Sequence, residues 1–99
     1  MKPKLFLLEM PFEDGPGKYW FCAHCALVEG ALKVNPHWQE AIEIRRIKFP
    51  KPRREIIEIL GEEHQWLPVL VHHDKNTITD PVEIAGYLAN HYGGAAPHP

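Results

Sequence analysis

Four segments of the chain carry hydrophobic patterns that predict β-strands. The runs at residues 5–8 (LFLL) and 67–71 (LPVLV) are almost wholly apolar, which is typical of strands buried on both faces. Residues 41–47 instead alternate between isoleucine and charged residues, which predicts a strand with one wet face. A short fourth strand is expected around Thr77 and Ile78. We therefore expect the first and third strands at the centre of a sheet and the other two at its edges.

Three further segments have the spacing of amphipathic helices. The first covers residues 22–34 and ends before an Asn-Pro sequence, which stops a helix. The second covers residues 53–60 and ends before Gly61. The third begins after Asp80, an N-cap residue, with Pro81 at the first helical position. Their apolar faces consist of Cys25, Val28 and Leu32, then Ile56, Ile57 and Leu60, and finally Ile84, Ala85, Leu88 and Tyr92.

The order of these elements is β-α-β-α-β-β-α, which predicts a single α/β domain over residues 1–92, with a mixed four-stranded sheet flanked by helices. Residues 9–20 are polar and rich in glycine and proline, so we expect a loop there. The small and polar residues 93–99 predict a flexible tail.

Composition and charge narrow the classes of function. The chain has 99 residues, a formal net charge of −2 and a pI near 6.4, so neither nucleic acid nor an anionic membrane is an expected partner. No apolar run approaches the roughly 18 residues of a membrane helix, and the apolar run at the N-terminus is too short for a signal peptide. The cytoplasm is therefore the expected location, and structural disulfides are rare there.

The two cysteines of the chain stand close together in the segment FCAHC. A pair with this spacing in a cytoplasmic protein indicates redox or metal chemistry. If Cys22 begins the first helix, free backbone N–H groups and the positive end of the helix dipole favour its thiolate form, and His24 adds positive charge when protonated. Cys25 falls on the inward face and should be buried and less acidic. We therefore expect Cys22 to attack a disulfide and Cys25 to resolve the intermediate.

This arrangement resembles the thioredoxin superfamily in its smallest, glutaredoxin-like form, over roughly residues 4–92. FCAHC is similar to the FCPHC of DsbA-type oxidants and the CGHC of protein disulfide isomerases, but Ala23 replaces the proline or glycine. The loop before the motif is longer than in small glutaredoxins. The segments HCALVEGAL, FPKPR and LPVLV also resemble a bacterial family of thioredoxin-like domains without an established function.

The resemblance implies further site residues. LPVLV is similar to the VPVLV of glutathione transferase N-terminal domains, which implies a cis-proline at Pro68 opposite Cys22 and leaves the Leu67 backbone free for a substrate. Thr79 and Asp80 match the position that binds the γ-glutamyl end of glutathione, although an N-cap role explains Asp80 equally well. The aromatic residues Trp20 and Phe21, directly before the cysteine pair, complete the predicted substrate contacts.

Two other groups of side chains leave alternatives open. Six of the eleven basic residues lie between residues 45 and 54, and we interpret them as a solvated face balanced by Glu55, Glu58, Glu62 and Glu63. A glutathione carboxylate, an acidic protein face or nucleic acid is the alternative partner. A zinc or iron–sulfur site would need Cys22 and Cys25 together with histidines such as His24, His64, His72 or His73. The sequence lacks the second motif that such sites usually have.

The sequence therefore predicts a small cytoplasmic thiol–disulfide oxidoreductase. No tightly bound cofactor is expected, and glutathione is a candidate co-substrate. The expected partner is a thiol or disulfide protein or glutathione, and the oligomeric state is left open. The alternatives are a non-catalytic module that binds a peptide or glutathione and, with less support, a zinc or iron–sulfur carrier.

Overall fold

A four-stranded mixed sheet forms the centre of the computed structural model, which describes residues 2–72 and 74–99. In chain order the elements are β1 (Lys4–Leu8), β2 (Phe12–Glu13), β3 (Tyr19–Trp20), α1 (Ala23–Val34), α2 (Trp38–Ala41), β4 (Glu43–Ile47), α3 (Arg54–Leu60), β5 (Val69–Val71), β6 (Thr77–Ile78) and α4 (Pro81–Tyr92). The strand order is β4-β1-β5-β6. β1 runs parallel to β4 and antiparallel to β5, and β6 runs antiparallel to β5. The predicted single α/β unit, with the two apolar strands at its centre, is confirmed.

The central position of β1 follows from its apolar side chains. Leu5 pairs with Ile44 of β4 on one side and with Leu70 of β5 on the other. Because successive side chains of a strand point to opposite faces, Leu5 and Leu7 enter one core cluster and Phe6 enters another. Each fully buried leucine contributes about 1.5–3 kcal/mol relative to an exposed one. A strand with apolar residues on both faces is therefore stable only in the middle of the sheet.

The helices cover the two faces of this sheet. α1 and α4 pack against each other and bury Cys25, Val28, Ile84 and Leu88 in the larger cluster with Leu5. On the other face, α3 contributes its buried side chain, Ile56, to the smaller cluster with Phe6 and Val69. In the part of the chain that the structure describes, no helix is both long enough and apolar enough to cross a membrane.

Two elements differ from the sequence prediction. The segment predicted to be a loop contains a β-hairpin, in which Phe12 pairs with Trp20 and two glycines take positive φ angles, 90° at Gly15 and 72° at Gly17. The ring of Phe12 stacks on Phe49 with centroids 4.3 Å apart, which attaches the hairpin to the segment before α3. The short helix α2 was also not predicted, because four residues are too few for a helical period to be recognised.

The segment that follows α4 is attached to the body of the protein. The buried Asn35 side chain donates to the Ala95 carbonyl and accepts from the Ala95 N–H, at 3.1 and 2.7 Å. The indole N–H of Trp38 donates to the Gly93 carbonyl at 2.8 Å. Gly94 has a φ of 111°, and a Cβ at this position would collide with the Asn35 amide. These bonds attach residues 93–95 to the rest of the domain. The flexibility expected for the whole segment, residues 93–99, stays a prediction.

Candidate functional site

Cys22 lies at the N-terminus of α1 and caps it. Its backbone is extended, with φ −84° and ψ 118°, and its sulfur accepts a hydrogen bond from the Cys25 N–H at 3.4 Å. The Cys22 carbonyl accepts the first helical bond, from Ala26 at 2.8 Å. The thiol is partly buried. A thiol in this position faces the unpaired N–H groups and the positive end of the helix dipole, which favour a negative charge on sulfur.

Cys25 lies one turn further along α1, on the inward face, and is fully buried, as the sequence predicts. Burial raises the pKa of this thiol to about 12, and the adjacent Cys22 adds to the increase. The backbone N–H of Leu8 donates to the Cys25 sulfur at 3.3 Å and opposes part of that effect. Cys25 is therefore a neutral thiol near pH 7, with one donor already placed for the thiolate.

Met10 contacts Cys22 from the segment before the hairpin. Its thioether sulfur accepts a hydrogen bond from the Cys22 N–H at 3.1 Å, and Met10 packs against the main core cluster. This contact fixes the backbone that leads into α1. The sequence carries no local signal for it, because the two residues are twelve positions apart and the intervening hairpin brings them together.

Cys22 opens onto a cleft of about 860 Å³. The residues that line it are Leu8, Cys22, His24, Phe49, Lys51, Arg53, Gln65, Trp66, Leu67, Pro68, Thr79, Asp80 and Pro81. The Leu67-Pro68 peptide bond is cis, as the resemblance implies, and Pro68 is fully buried. The bonds before Pro11 and Pro52 are also cis, which the sequence analysis did not predict.

The cleft brings together most of the residues predicted for the site. Six of them line it, namely Cys22, His24, Leu67, Pro68, Thr79 and Asp80, and Cys25 lies behind Cys22 in the core. Trp20 and Phe21 do not line the cleft. Both are exposed, at 51% and 69%, and the indole N–H of Trp20 donates to the Asp14 carbonyl within the hairpin.

Asp80 has the structural role that its position predicts. One of its carboxylate oxygens accepts a hydrogen bond from the Glu83 N–H at 2.9 Å and so caps α4. The N-cap interpretation is confirmed, and Thr79 precedes it at the same end of the cleft. A role of either residue in binding a ligand stays a prediction.

One wall of the cleft was not predicted from the sequence. It comprises Phe49, Lys51, Arg53, Gln65 and Trp66, contributed by the segments before α3 and before β5. Trp66 is 55% exposed, and its ring lies 4.4 Å from that of His64. The only sequence signal for this wall was the run of basic residues, which gives no indication of where each side chain points.

The basic segment is divided between two environments. Arg45 forms ion pairs with Glu55 at 2.8 Å and Glu43 at 3.9 Å, and Arg46 pairs with Glu29 at 2.8 Å. These ion pairs are on the surface. Glu55 is one of the glutamates expected from the sequence, whereas Glu43 and Glu29 were not predicted as partners. Arg53 instead lines the cleft, so the interpretation of the whole segment as one solvated face was wrong for this residue.

A metal site receives no structural support among residues 2–72 and 74–99. No three of the described histidine, cysteine, aspartate and glutamate side chains are grouped closely enough to hold a metal ion. His73, one of the histidines considered for zinc, lies outside the described residues.

The two thiols should differ sharply in reactivity. In Cys25→Ser, the remaining Cys22 should react with iodoacetamide at pH 8, whereas in Cys22→Ser the buried Cys25 should react only after unfolding in urea. Burial is the largest cause of the raised pKa of Cys25 and is retained when Cys22 is replaced, so little Cys25 thiolate is present at pH 8. Mass spectrometry of the folded variants measures both rates, and equal rates would contradict the assignment.

The same pKa has a consequence for stability. Because the folded protein holds the Cys25 proton more tightly than the unfolded chain does, unfolding releases that proton at alkaline pH. The contribution of this thiol to stability is complete below about pH 9 and is lost as the pH rises toward 12.

The fold and the site together define a small α/β protein with a helix-capping cysteine at the mouth of a cleft and a second cysteine buried behind it. The sequence matches the family described as "Protein of unknown function (DUF3088)" over residues 2–96, and the chain belongs to that family. No curated protein and no solved structure matches the chain.

Proposed function

We propose that this protein is a thiol–disulfide oxidoreductase with a thioredoxin-like fold. The observation that carries the proposal is the placement of the two thiols: Cys22 caps α1 and opens onto the cleft, whereas Cys25 is buried directly behind it. The position of Pro68, which lines the same cleft directly before the central strand β5, adds support. So does the sheet order β4-β1-β5-β6, with an antiparallel edge strand.

The reaction that these residues support is a two-step exchange. The Cys22 thiolate attacks one sulfur of a substrate disulfide, which breaks the substrate S–S bond, forms a mixed disulfide and releases one substrate thiolate. Cys25 then transfers its proton to that thiolate and attacks the sulfur of Cys22. The second substrate thiolate departs. The substrate gains two electrons and the protein is left with a Cys22–Cys25 disulfide. Two molecules of a thiol such as glutathione then reduce it to the dithiol and are themselves joined in a disulfide.

The different environments of the two sulfurs explain why Cys22 is the attacking thiolate and Cys25 the resolving thiol. In the dithiol the pKa of Cys25 is raised to about 12, and the adjacent Cys22 accounts for part of that increase. Cys22 carries no charge once it is part of the mixed disulfide, so the pKa of Cys25 falls at that step and the departing thiolate can accept its proton. The Leu8 N–H, already 3.3 Å from the Cys25 sulfur, stabilises the charge that appears there. The reducing cytoplasm predicted as the location keeps both thiols available for this chemistry.

The Leu67 main chain provides a place for an extended substrate. Within the described residues its N–H and C=O form no hydrogen bond, and Leu67 lines the cleft that Cys22 enters. A substrate backbone that pairs with these groups places its sulfur beside Cys22. Thr79 and Asp80, at the start of α4, border the same cleft and are the candidate contacts for glutathione as co-substrate.

Equilibration in glutathione redox buffers tests the proposal. In the wild-type protein both thiols should be lost together as the buffer becomes more oxidising, and both should return when reduced glutathione is added. The redox state is read by acid quenching, alkylation and mass spectrometry. Cys22→Ser should form neither an internal disulfide nor a mixed disulfide. If both wild-type thiols stay reduced across the whole range of buffers, the protein is not an oxidoreductase.

The second candidate is a binding module without redox activity. The observation that favours it is the size of the cleft, with the half-exposed Trp66 and the cations Lys51 and Arg53 on its wall. The Cys22→Ser/Cys25→Ser double variant separates the two functions. If this variant binds glutathione or a peptide as well as the wild-type protein does, by NMR titration, while the wild-type thiols are inert, the module is the better assignment.

A further inference from the structure

Arg53 lies at the proposed redox site and has no carboxylate partner among the residues that the structure describes. Arg45 and Arg46 lie close by in the sequence and both form ion pairs with glutamates on the surface. Arg53 is half-buried, lines the cleft with Cys22, and forms no ion pair within residues 2–72 and 74–99. A charged group that is removed from water costs free energy unless hydrogen bonds or an opposite charge compensate it.

The guanidinium of Arg53 is held in one position by the backbone. Its Nε and Nη2 atoms both donate to the Phe49 carbonyl, at 3.0 and 2.7 Å, and Nη1 donates to the Gln65 carbonyl at 2.8 Å. The Arg53 N–H in turn donates to the Gln65 side chain at 2.7 Å, and the guanidinium lies 5.5 Å from the centre of the Phe49 ring. These bonds tie the segment before α3 to the segment that leads into Pro68, so the positive charge stays at the cleft wall.

The charge of Arg53 and the charges of the two cysteines interact. Burial lowers the pKa of Arg53, and thiolates at Cys25 and Cys22 oppose that decrease. The interaction is reciprocal, because a cation that is stabilised by a thiolate stabilises that thiolate to the same extent. Of the two sulfurs, Cys22 is the one that opens onto the cleft.

The other charged groups around Cys22 are less suited to this role. His24 is exposed on α1, and Lys51 is an exposed lysine with a flexible side chain. Asp80 also lines the cleft, but it carries the opposite sign and caps α4. Cys25 lies below Cys22 and is neutral near pH 7. Arg53 alone among these groups combines a permanent positive charge with a position fixed by several hydrogen bonds.

We propose that Arg53 is a positioning residue of the redox site, and that its fixed guanidinium stabilises the thiolate form of Cys22 across the cleft. The stabilised thiolate belongs to the reduced protein, so Arg53 also makes the Cys22–Cys25 disulfide easier to reduce. This second consequence rests on the proposed function, whereas the first concerns the acidity of one thiol and can be measured without any exchange reaction.

The pH profile of Cys22 alkylation tests the proposal. In Arg53→Gln, the midpoint of the profile should rise, and the alkylation rate at pH 6 should fall about threefold to tenfold, because an opposite charge near a sulfur favours its ionised form. Arg53→Lys keeps the charge but not the forked hydrogen bonds, and should lose less. Arg54→Gln is the matched control, since it removes the same charge from an exposed neighbour outside the cleft, and its profile should follow that of the wild type.

The result that overturns the proposal is an Arg53→Gln variant that is folded by near-ultraviolet circular dichroism and has the wild-type profile. Arg53→Gln also loses the hydrogen bonds to the Phe49 and Gln65 carbonyls and could unfold for that reason. In that case the proposal is tested by NMR of the wild-type protein. The Nε–H signal of Arg53 should shift with the same midpoint as Cys22 alkylation, while that of Arg46 stays constant. An Arg53 signal that is unchanged through the titration of Cys22 also overturns the proposal.

The proposed function can fail separately. If the wild-type thiols do not exchange with glutathione but Arg53→Gln still shifts the alkylation profile, the oxidoreductase assignment is wrong and the role of Arg53 in thiol acidity stands. The opposite outcome is also possible. If the wild type and Arg53→Gln both exchange with glutathione, with the same equilibrium constant and the same pH profile of Cys22 alkylation, the oxidoreductase assignment stands and the role of Arg53 is wrong.

Discussion

Cys25→Ser should convert the protein into a trap for its substrate. In the wild-type protein the buried thiol lies one helical turn from Cys22, and an intramolecular thiol in that position has a high effective concentration. Without it, the mixed disulfide on Cys22 can be released only by thiols from solution. We expect its lifetime at millimolar glutathione to increase by roughly two orders of magnitude or more.

The measurement uses a disulfide-linked peptide and non-reducing mass spectrometry. A 1:1 covalent adduct should accumulate on Cys25→Ser, remain transient on the wild type, and be absent from Cys22→Ser. Serine is close in size to cysteine, so folding should be retained, and circular dichroism verifies it. Adducts of equal lifetime on the wild type and Cys25→Ser would exclude Cys25 as the resolving thiol. Adducts on Cys22→Ser would exclude Cys22 as the nucleophile.

Trp38→Ala should produce the largest loss of stability from a single substitution outside the site. Trp38 is fully buried, packs in the core cluster with Leu5 and Leu88, and donates its indole N–H to the Gly93 carbonyl at 2.8 Å. Removal of a buried tryptophan costs about 3–5 kcal/mol. Since small domains have total stabilities of about 5–15 kcal/mol, this variant should be close to unfolding at 37 °C.

Urea unfolding followed by circular dichroism measures this effect. Trp38→Phe fills most of the same space but loses the hydrogen bond, so it should cost about 1–2 kcal/mol. Trp20→Ala is the matched control, because Trp20 is 51% exposed on the hairpin and should cost less than about 1 kcal/mol. Equal losses for Trp38→Ala and Trp20→Ala would mean that α2 and the segment after α4 do not stabilise the core.

The elements that could be predicted are those whose hydrophobic pattern is long enough to be read locally. β1 and β5 are apolar at nearly every position, so they can be stable only at the centre of the sheet, where the structure places them. α1 and α4 each repeat their buried positions over three turns and carry a capping residue at the start. The hairpin and α2 have neither property, because two paired residues or four helical ones define no period.

The residues of the candidate site also fall into those that could be predicted from the sequence and those that could not. Cys22 and Cys25 could be proposed from the sequence because they form a short motif at the start of a helix, and Pro68 because the segment LPVLV resembles that of a known family. Phe49, Gln65 and Trp66 could not, because the segments before α3 and before β5 meet only through tertiary contacts. Trp20 and Phe21 show the opposite error, since their closeness to Cys22 in sequence does not bring them into the cleft.

Sequence by itself determined the order of the main elements, the strands at the centre of the sheet, and the end of α1 at which the cysteine pair lies. These properties depend on the solvation of apolar side chains and on helix capping, which act over a few residues. Only the tertiary structure decided that Met10 contacts Cys22 and that the Asn35 amide holds the chain after α4. It also decided that Arg53 lines the cleft while Arg45 and Arg46 pair with glutamates on the surface. Each of these contacts joins residues that are far apart in the chain. Such contacts form only when the core packs, so the local sequence pattern does not predict them.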